Sequence, residues 1–238
     1  MAKWLLDPGH GGTDPGATYK SRKESDDVLR LSLRVGEILK ANNENVYYTR
    51  STDTTVSLSE RSSKENTGNY DYFISIHRNA NKPETAKGVE TYIYARGRIS
   101  EVLASKVNNE LVKVGFIDRG IKVSNFHVLR NTKCPAILIE VGFIDSSIDN
   151  SIFDSNFEEI AQAIAKGCLL QVGKSINTSD KSENSNNNSK SNSENEQVYY
   201  RCIVGSFKER NNAEARKAEL ISKGYKDTFI DVYKKVKL

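Results

Sequence analysis

The stretch Trp4-Leu5-Leu6-Asp7-Pro8-Gly9-His10-Gly11-Gly12 carries the clearest structural signal in this sequence. Its apolar residues predict a buried strand that ends where proline and glycine begin. His10 then lies on the loop just past the carboxyl end of that strand, and the flanking glycines allow a sharp turn and the close approach of a ligand. In open α/β sheets, sites form outside such strand ends. The stretch therefore predicts an α/β sheet with His10 at its functional edge.

Two further apolar runs end in the same way. Tyr72-Phe73-Ile74-Ser75-Ile76 is followed by His77, and Ala136-Ile137-Leu138-Ile139 is followed by Glu140. Continuous apolar runs favour strands that are covered on both faces in a parallel sheet. If the three strands are parallel, His10, His77 and Glu140 lie along one edge. Two imidazoles and a carboxylate are the ligand set of a catalytic zinc site, in which a fourth position stays open for water.

Such a site needs one more carboxylate, because a general base does not usually also bind the metal. Glu24 is the best candidate for the ligand, and Asp26 and Asp27 belong to the same acidic cluster. The cluster precedes an amphipathic stretch, 28–39, whose spacing predicts a helix packed on the sheet. Carboxylates also favour helix N-termini, so the spacing alone leaves helix capping open for all three acids.

The remaining patterns predict the order of the elements. Helices that alternate with apolar strands indicate an α/β fold, a mostly parallel mixed sheet with helices on both faces. The segment 88–94 alternates polar and apolar residues, which predicts an edge strand. The predicted strands are 3–7, 45–49, 71–77, 88–94, 126–130 and 136–141, and the predicted helices are 26–42, 56–67, 98–114 and 156–172.

Several short motifs occur together in a fixed order. They are Asp7-Pro8-Gly9-His10-Gly11-Gly12, Glu24 with Leu29, Thr49-Arg50, Leu58-Ser59-Glu60-Arg61, Ser75-Ile76-His77-Arg78-Asn79-Ala80, Val128-Leu129-Arg130 and Ile139-Glu140-Val141-Gly142-Phe143-Ile144. Over about residues 1–173 this series resembles the zinc-dependent N-acetylmuramoyl-L-alanine amidases of the amidase-3 type. The resemblance implies zinc held by His10, Glu24 and His77, with Glu140 as the catalytic acid/base. It also implies peptidoglycan as the substrate, cleaved between N-acetylmuramic acid and L-alanine.

Other functions fit parts of this pattern. The ligand chemistry alone also permits a zinc peptidase or a deacetylase, and a non-catalytic peptidoglycan-binding protein with a structural zinc site is a further alternative. Glu140 favours the enzyme, because a structural site does not need the additional carboxylate. No local motif supports a nucleophilic pair of Cys134 and His127, and the helical spacing around Cys168 predicts a core position. Arg50 and Arg61 are expected to hold loops through carboxylates, and His127 to be structural or at the rim of the site.

Composition divides the chain into three parts. Residues 174–197 are rich in Ser, Asn, Lys and Glu and predict a flexible linker between a catalytic domain, 1–173, and a small module, 198–238. The module carries 10 basic and 5 acidic residues, a net charge of +5, and the linker carries −1, so together they account for the formal net charge of +4 of the chain. The patterns of the module predict a strand at 198–207, a helix at 212–220 and a strand at 228–233.

This βαβ order resembles the first half of a sporulation-related repeat (SPOR) domain, a module that binds peptidoglycan glycan strands. Val204-Gly205-Ser206-Phe207 and the alanine-rich helix before Gly224 carry the resemblance, and the second half of the family's domain is missing. A βαβ of this size leaves strand edges unpaired, which predicts pairing with a second chain, a homodimer through 198–238. Basic residues interleaved with aromatic ones also permit nucleic-acid binding, which a wall hydrolase does not need.

The sequence also bears on where the protein acts. No stretch approaches the roughly 20 apolar residues of a membrane span, and no signal peptide precedes the first motif. Cys134, Cys168 and Cys202 form neither a disulfide framework nor a metal-binding pair. We therefore expect synthesis in the cytoplasm and action at the bacterial cell wall after release, as for a phage endolysin. A bacterial autolysin that has lost its export signal would give the same pattern.

Overall fold

The structure is a computed structural model that describes residues 1–176 and 210–223. The chain divides into two compact units, Met1–Lys181 and Ser182–Leu238. The strands are β1 (Lys3–Pro8), β2 (Thr18–Tyr19), β3 (Arg22–Lys23), β4 (Asn45–Tyr48), β5 (Tyr72–Asn79), β6 (Val89–Ile93), β7 (Asp118–Val123) and β8 (Ala136–Phe143). The helices are α1 (Glu24–Ala41), α2 (Leu58–Gly68), α3 (Ile99–Lys113), α4 (His127–Arg130), α5 (Ser147–Ser155), α6 (Phe157–Gln171) and α7 (Arg210–Ser222).

Six strands form one mixed sheet in the order β4-β1-β5-β8-β6-β7. Neighbouring pairs among β4, β1, β5 and β8 are parallel, which for β1, β5 and β8 agrees with the prediction from their apolar runs. Strand β6 is antiparallel to β8 and parallel to β7. The amino ends of β6 and β7 therefore lie at the same edge of the sheet as the carboxyl ends of β1, β5 and β8.

Both faces of the sheet are covered, as predicted. Trp4 and Leu6 of β1 belong to the larger core, to which α1, α3 and α6 contribute. Leu5 points to the opposite face, because side chains alternate along a strand, and belongs to a smaller core with Val128 and Leu129 of α4. Helix α2 packs against α4. The apolar runs of the parallel strands thus bury side chains on both faces of the sheet. This burial holds the strands in place, and with them the strand ends that carry the site.

Some predicted elements differ from the structure. The segment 126–130 is not a strand: it contains the single helical turn α4. The strand predicted for an edge, β6, lies between β8 and β7, and β7 itself was not predicted. The β2–β3 hairpin and α5 were also missed.

Part of the carboxyl-terminal prediction can be compared with the structure. Helix α7, Arg210–Ser222, contains the helix predicted at 212–220. The strands predicted at 198–207 and 228–233 and most of the linker predicted at 174–197 lie outside the described residues. Within 1–176 and 210–223, no helix is both long and apolar enough to cross a membrane.

Candidate active site

The loop after β1 carries His10 close to the other site residues. His10 has φ 56°, in the left-handed region that non-glycine residues rarely adopt. At Gly9, a Cβ atom would lie 2.2 Å from Cε1 of His77, and at Gly16 it would lie 2.7 Å from Oε2 of Glu24. The glycines are therefore required because the loop touches the site side chains directly.

Two buried arginines hold this loop. Arg61 donates to Oδ1 of Asp7 at 2.6 Å and to the carbonyl oxygens of Pro8 and His10, both at 2.7 Å. Arg50 donates to the carbonyls of Pro8 and Gly9. The expected loop-holding role is thus confirmed, with the correction that Arg50 uses carbonyl oxygens where a carboxylate was expected.

Three side chains converge at the strand edge. Glu24 is the first residue of α1, and its Oε2 lies 3.2 Å from Nε2 of His10 while its Oε1 lies 2.9 Å from Nδ1 of His77. One potential ligand atom from each residue lies within 4.8 Å of those of the other two. The backbone N–H groups of Ala17 and Arg78 also donate to the Glu24 carboxylate and fix its position.

The electrostatics of these side chains suit a cation. Burial acts to raise the pKa of Glu24, but its contacts with His10 and His77 outweigh burial and lower that pKa. Burial acts to lower the pKa of His10, but Glu24 and Asp14 outweigh it and raise the pKa to about 9. The Glu24 carboxylate favours protonation of the two imidazoles because their positive charge then lies beside it. A divalent cation bound by the oxygen of Glu24 and the ring nitrogens of His10 and His77 can take the place of those protons. The donor set of two nitrogens and a carboxylate fits zinc.

Asp14 is a site residue that sequence reasoning missed. Its Oδ2 lies 2.8 Å from Nδ1 of His10, on the ring nitrogen that does not face Glu24. A carboxylate at this position fixes the orientation and tautomer of a metal-binding imidazole. Asp14 precedes Pro15 and Gly16, where an aspartate is also typical of an ordinary turn, so the local sequence does not reveal its role.

The other two acids of the α1 cluster have different positions. Asp27 pairs with the fully buried guanidinium of Arg78 at 2.7 Å and with Arg22. Asp26 is exposed. Glu24 is therefore the acid of this cluster whose side chain reaches the two imidazoles, a distinction that the spacing left open.

Glu140 lies beside this centre. In the sheet register it is opposite His77 on β5 and opposite Glu90 on β6. Its Oε2 atom is buried and has no hydrogen-bond partner among the described residues. Burial, helped by nearby Glu24 and Glu90 and opposed by His77 and His10, raises the pKa of Glu140 to about 7. A carboxyl with a pKa near neutrality suits proton transfer.

The structure does not support the cysteine alternative. His127 hydrogen-bonds Ser62 at 3.1 Å and also contacts Asn131. Burial and nearby Glu65 raise the pKa of Cys134, which disfavours a nucleophilic thiolate. Cys168 is fully buried in the larger core, as predicted.

Comparison with known proteins gives a consistent family. The Amidase_3 family, N-acetylmuramoyl-L-alanine amidase, matches residues 5–169. The chain is 34% identical to the N-acetylmuramoyl-L-alanine amidase CwlM of Bacillus licheniformis over 229 residues, which cover 94% of this chain and 83% of CwlM. It is 36% identical to an endolysin of Bacillus phage SPP1 over 74% of this chain and 67% of the endolysin.

A solved structure extends this similarity to three dimensions. The catalytic domain of CwlV, an N-acetylmuramoyl-L-alanine amidase from Bacillus (Paenibacillus) polymyxa var. colistinus, has a TM-score of 0.68 and 33% identity. The comparison covers 73% of this chain and 99% of the CwlV chain. Because sequence and fold agree over the whole unit that carries the site, the chain belongs to the N-acetylmuramoyl-L-alanine amidase family of the amidase-3 type.

Proposed function

We propose that the amide hydrolysis of this family runs in this chain at a zinc ion held by His10, Glu24 and His77, with Glu140 as the acid/base. The observation that carries the proposal is the convergence of the three ligand atoms within 4.8 Å beside the carboxyl of Glu140. The bond cleaved joins the lactyl group of N-acetylmuramic acid to L-alanine in peptidoglycan.

Each residue has a distinct task in this mechanism. When bound, zinc supplies a Lewis acid that polarises the scissile carbonyl and acidifies the attacking water. Glu140 accepts a proton from that water as the oxygen of the water bonds to the carbonyl carbon. It then passes the proton to the nitrogen of L-alanine as the carbon–nitrogen bond breaks, so the products are a lactyl carboxylic acid and a free amine. Asp14 holds the His10 ring, and the backbone N–H of Arg78 holds Glu24.

The number of ligands favours catalysis over a structural zinc site. Structural zinc sites are closed by four protein ligands, whereas catalytic sites use three and keep one position open. Among the described residues, the metal-binding cluster at this edge has three members. Glu140, whose buried oxygen lacks a hydrogen-bond partner in the described part of the chain, has the position of a proton carrier.

The carboxyl-terminal part is proposed to bring the enzyme to its substrate. We assign 1–173 to the catalytic domain, 174–197 to a linker and 198–238 to a SPOR-like module for wall binding or dimerisation. Helix α7 coincides with the helix of that pattern, and the similarity to CwlM takes in 94% of the chain and so continues beyond the catalytic domain. The site of action is the bacterial cell wall, in an endolysin or in an autolysin.

Digestion of purified cell walls tests the proposal. New N-terminal L-alanine should appear on the released peptides without new reducing sugar ends. A chelator should abolish the release, and added zinc should restore it. Release of a different end group would overturn the assigned bond, and release by protein shown to be metal-free would overturn the zinc mechanism.

A further inference from the structure

A second polar cluster lies beside the proposed catalytic residues. Its centre is Glu90 on β6, which is 2% exposed and directly opposite Glu140 in the antiparallel β6–β8 pair. Opposite residues of such a pair project from the same face of the sheet, with Cβ atoms about 5 Å apart. The cluster therefore adjoins the position where the scissile amide has to bind.

The carboxylate of Glu90 has four side-chain partners, and two of them are cations. It accepts hydrogen bonds from the hydroxyl of Tyr92 at 2.7 Å and from Nδ2 of Asn79 at 2.8 Å. It also pairs with two cations of β7, with Nε of Arg119 at 2.6 Å and with Nζ of Lys122. Burial alone would raise the pKa of Glu90, but these contacts, led by that of Lys122, lower it. The buried carboxylate is thus ionised, and the cluster of one anion and two cations carries an excess positive charge.

Both cations remain accessible. The side chains of Arg119 and Lys122 are 33% and 38% exposed. Among the described residues, Arg119 uses only its Nε–H as a hydrogen-bond donor, and its guanidinium lies 4.8 Å from the ring centre of Phe143 at the end of β8. Its terminal N–H groups are therefore available to an acceptor from outside the protein. A guanidinium of this kind binds carboxylates through paired hydrogen bonds.

Aromatic side chains lie next to Arg119 and Lys122 and extend the surface available to a ligand. The aromatic rings of Tyr92 and Phe126 meet edge to face with centroids 5.0 Å apart, and Phe126 is 39% exposed. The amino ends of β6 and β7, which carry Glu90 and Arg119, lie at the same sheet edge as His10 and His77. Tyr92 lies two residues after Glu90 on the same face of β6, opposite Leu138 of β8. A ligand that extends from Glu140 across this face of the sheet therefore meets first the cationic and then the aromatic side chains.

We infer that Arg119 and Lys122 form a subsite that binds a carboxylate of the peptide attached to the scissile amide. The inference rests on the proposed function, because it takes the position of that amide from Glu140. The lactyl carboxyl of N-acetylmuramic acid is consumed in the amide itself, so the free carboxylates of a muramoyl-peptide belong to its peptide part. The subsite would select acidic stem peptides over amidated ones.

Matched substrates test this selectivity. N-acetylmuramoyl-L-alanyl-D-glutamate with free carboxylates is compared with its diamide, which has the same shape without the charges. The wild-type protein should have a KM roughly fivefold or more lower for the diacid, since a partly exposed charge-assisted contact is worth about 1 kcal/mol or more. The kcat values should agree within about twofold, because such binding is equal in the ground and transition states.

Variants identify the residues responsible. Arg119→Gln should remove the preference for the diacid, Arg119→Lys should keep part of it, and Lys122→Gln should weaken it. Arg34→Gln is the matched control, because it removes a partly exposed cation that pairs with Glu158 on the opposite face of the sheet. Equal KM values for the two substrates in the wild type, or an unchanged preference in Arg119→Gln, would show that the cations only neutralise Glu90.

A binding measurement separates this inference from the zinc mechanism. The same diacid and diamide are titrated into metal-free wild type and Arg119→Gln, and their Kd values are obtained from NMR shifts. The subsite is supported if the diacid has a lower Kd than the diamide in the wild type but not in Arg119→Gln. This conclusion holds even if hydrolysis proves not to depend on zinc. Equal Kd values in the wild type overturn the subsite and leave the catalytic proposal untouched. Melting temperatures of the variants establish that each one is folded.

Discussion

Glu44 joins the two ends of the catalytic unit through one buried carboxylate. It accepts hydrogen bonds from the backbone N–H of Ala2 at 2.7 Å and from Nε1 of Trp4 at 3.0 Å, and it pairs with Lys174 just beyond α6. Burial acts to raise the pKa of Glu44, but the contact with Lys174, followed by those with Trp4 and Ala2, lowers it. The ionised form is thus stabilised more in the folded than in the unfolded chain.

This difference makes stability depend on pH. Because the folded pKa of Glu44 is lowered, its contribution is complete above the unfolded value of about 4.3 and is lost as pH falls through the folded value. We expect Glu44→Gln to have a lower free energy of unfolding than the wild type at pH 6. The difference between the two proteins should shrink progressively below about pH 4. Urea unfolding of both proteins from pH 6 to pH 3 measures it. Lys174→Met should weaken the same pH dependence, and a constant difference at all pH values would contradict the argument.

At the scale of elements, helices α3 and α6 pack at very close range. Gly167 of α6 is buried, and a Cβ atom there would lie 2.6 Å from the Cα of Val107 in α3. The contact is with backbone and not with a movable side-chain end, so the helices would have to separate. Glycine is therefore needed at this position despite its low helix propensity.

Substitution of this glycine weighs propensity against packing. Alanine is favoured over glycine in a helix by about 1 kcal/mol, whereas forced backbone shifts in a packed core cost about 1–3 kcal/mol. We expect Gly167→Ala to destabilise the protein by about 1 kcal/mol in denaturant unfolding. Glu159→Ala, an exposed change in the same helix, should stay within about 0.5 kcal/mol. An increase in stability for Gly167→Ala would mean that α3 and α6 are less closely packed.

The parallel strands were predictable because their signal is local. Apolar runs that bury both faces mark β1, β5 and β8, and their ends place His10, His77 and Glu140 together. Strand β7 was missed because Asp118, Arg119 and Lys122 interrupt any apolar run, and their partners come from distant parts of the chain. Likewise, the alternation in β6 resembles an edge strand because its buried Glu90 and Thr91 are satisfied by side chains of β7 and α3.

The same limit applies within the site. Spacing could not separate Glu24 from Asp27, because the distinction depends on contacts with distant residues: His77 for Glu24 and the side chain of Arg78 for Asp27. The turn α4 shows a related ambiguity, since the short apolar run of Val128 and Leu129 fits a strand or a single helical turn.

At the scale of the whole molecule, the module proposed at 198–238 is expected to control how the enzyme binds the cell wall. Two-fold pairing of identical modules would complete the sheet that the sequence predicts there and would close its edges. We expect the full chain to sediment as a dimer and residues 1–173 alone as a monomer that still hydrolyses soluble wall fragments. Dimerisation should raise avidity for intact walls and leave the chemical rate unchanged. A full chain that stays monomeric at high micromolar concentration, with a protease-resistant tail, would show that the half-module folds alone.

The division of labour between ligands and base is the central claim for the whole enzyme. Glu140 is proposed to move protons without holding the metal, whereas His10 and His77 hold it. Glu140→Ala should therefore lose activity by roughly 10²–10⁴-fold, the usual contribution of acid/base catalysis, with its zinc content unchanged. His10→Ala and His77→Ala should lose both activity and zinc.

Zinc content per folded molecule, measured by elemental analysis on the wild type, Glu140→Ala and His77→Ala purified side by side, tests this claim most directly. Circular dichroism confirms that each variant is folded before its metal is counted. We expect close to one zinc in the wild type and in Glu140→Ala, and a large loss in His77→Ala. Equal zinc loss in Glu140→Ala and His77→Ala would mean that Glu140 is a ligand and would contradict the assignment of Glu24 in that role.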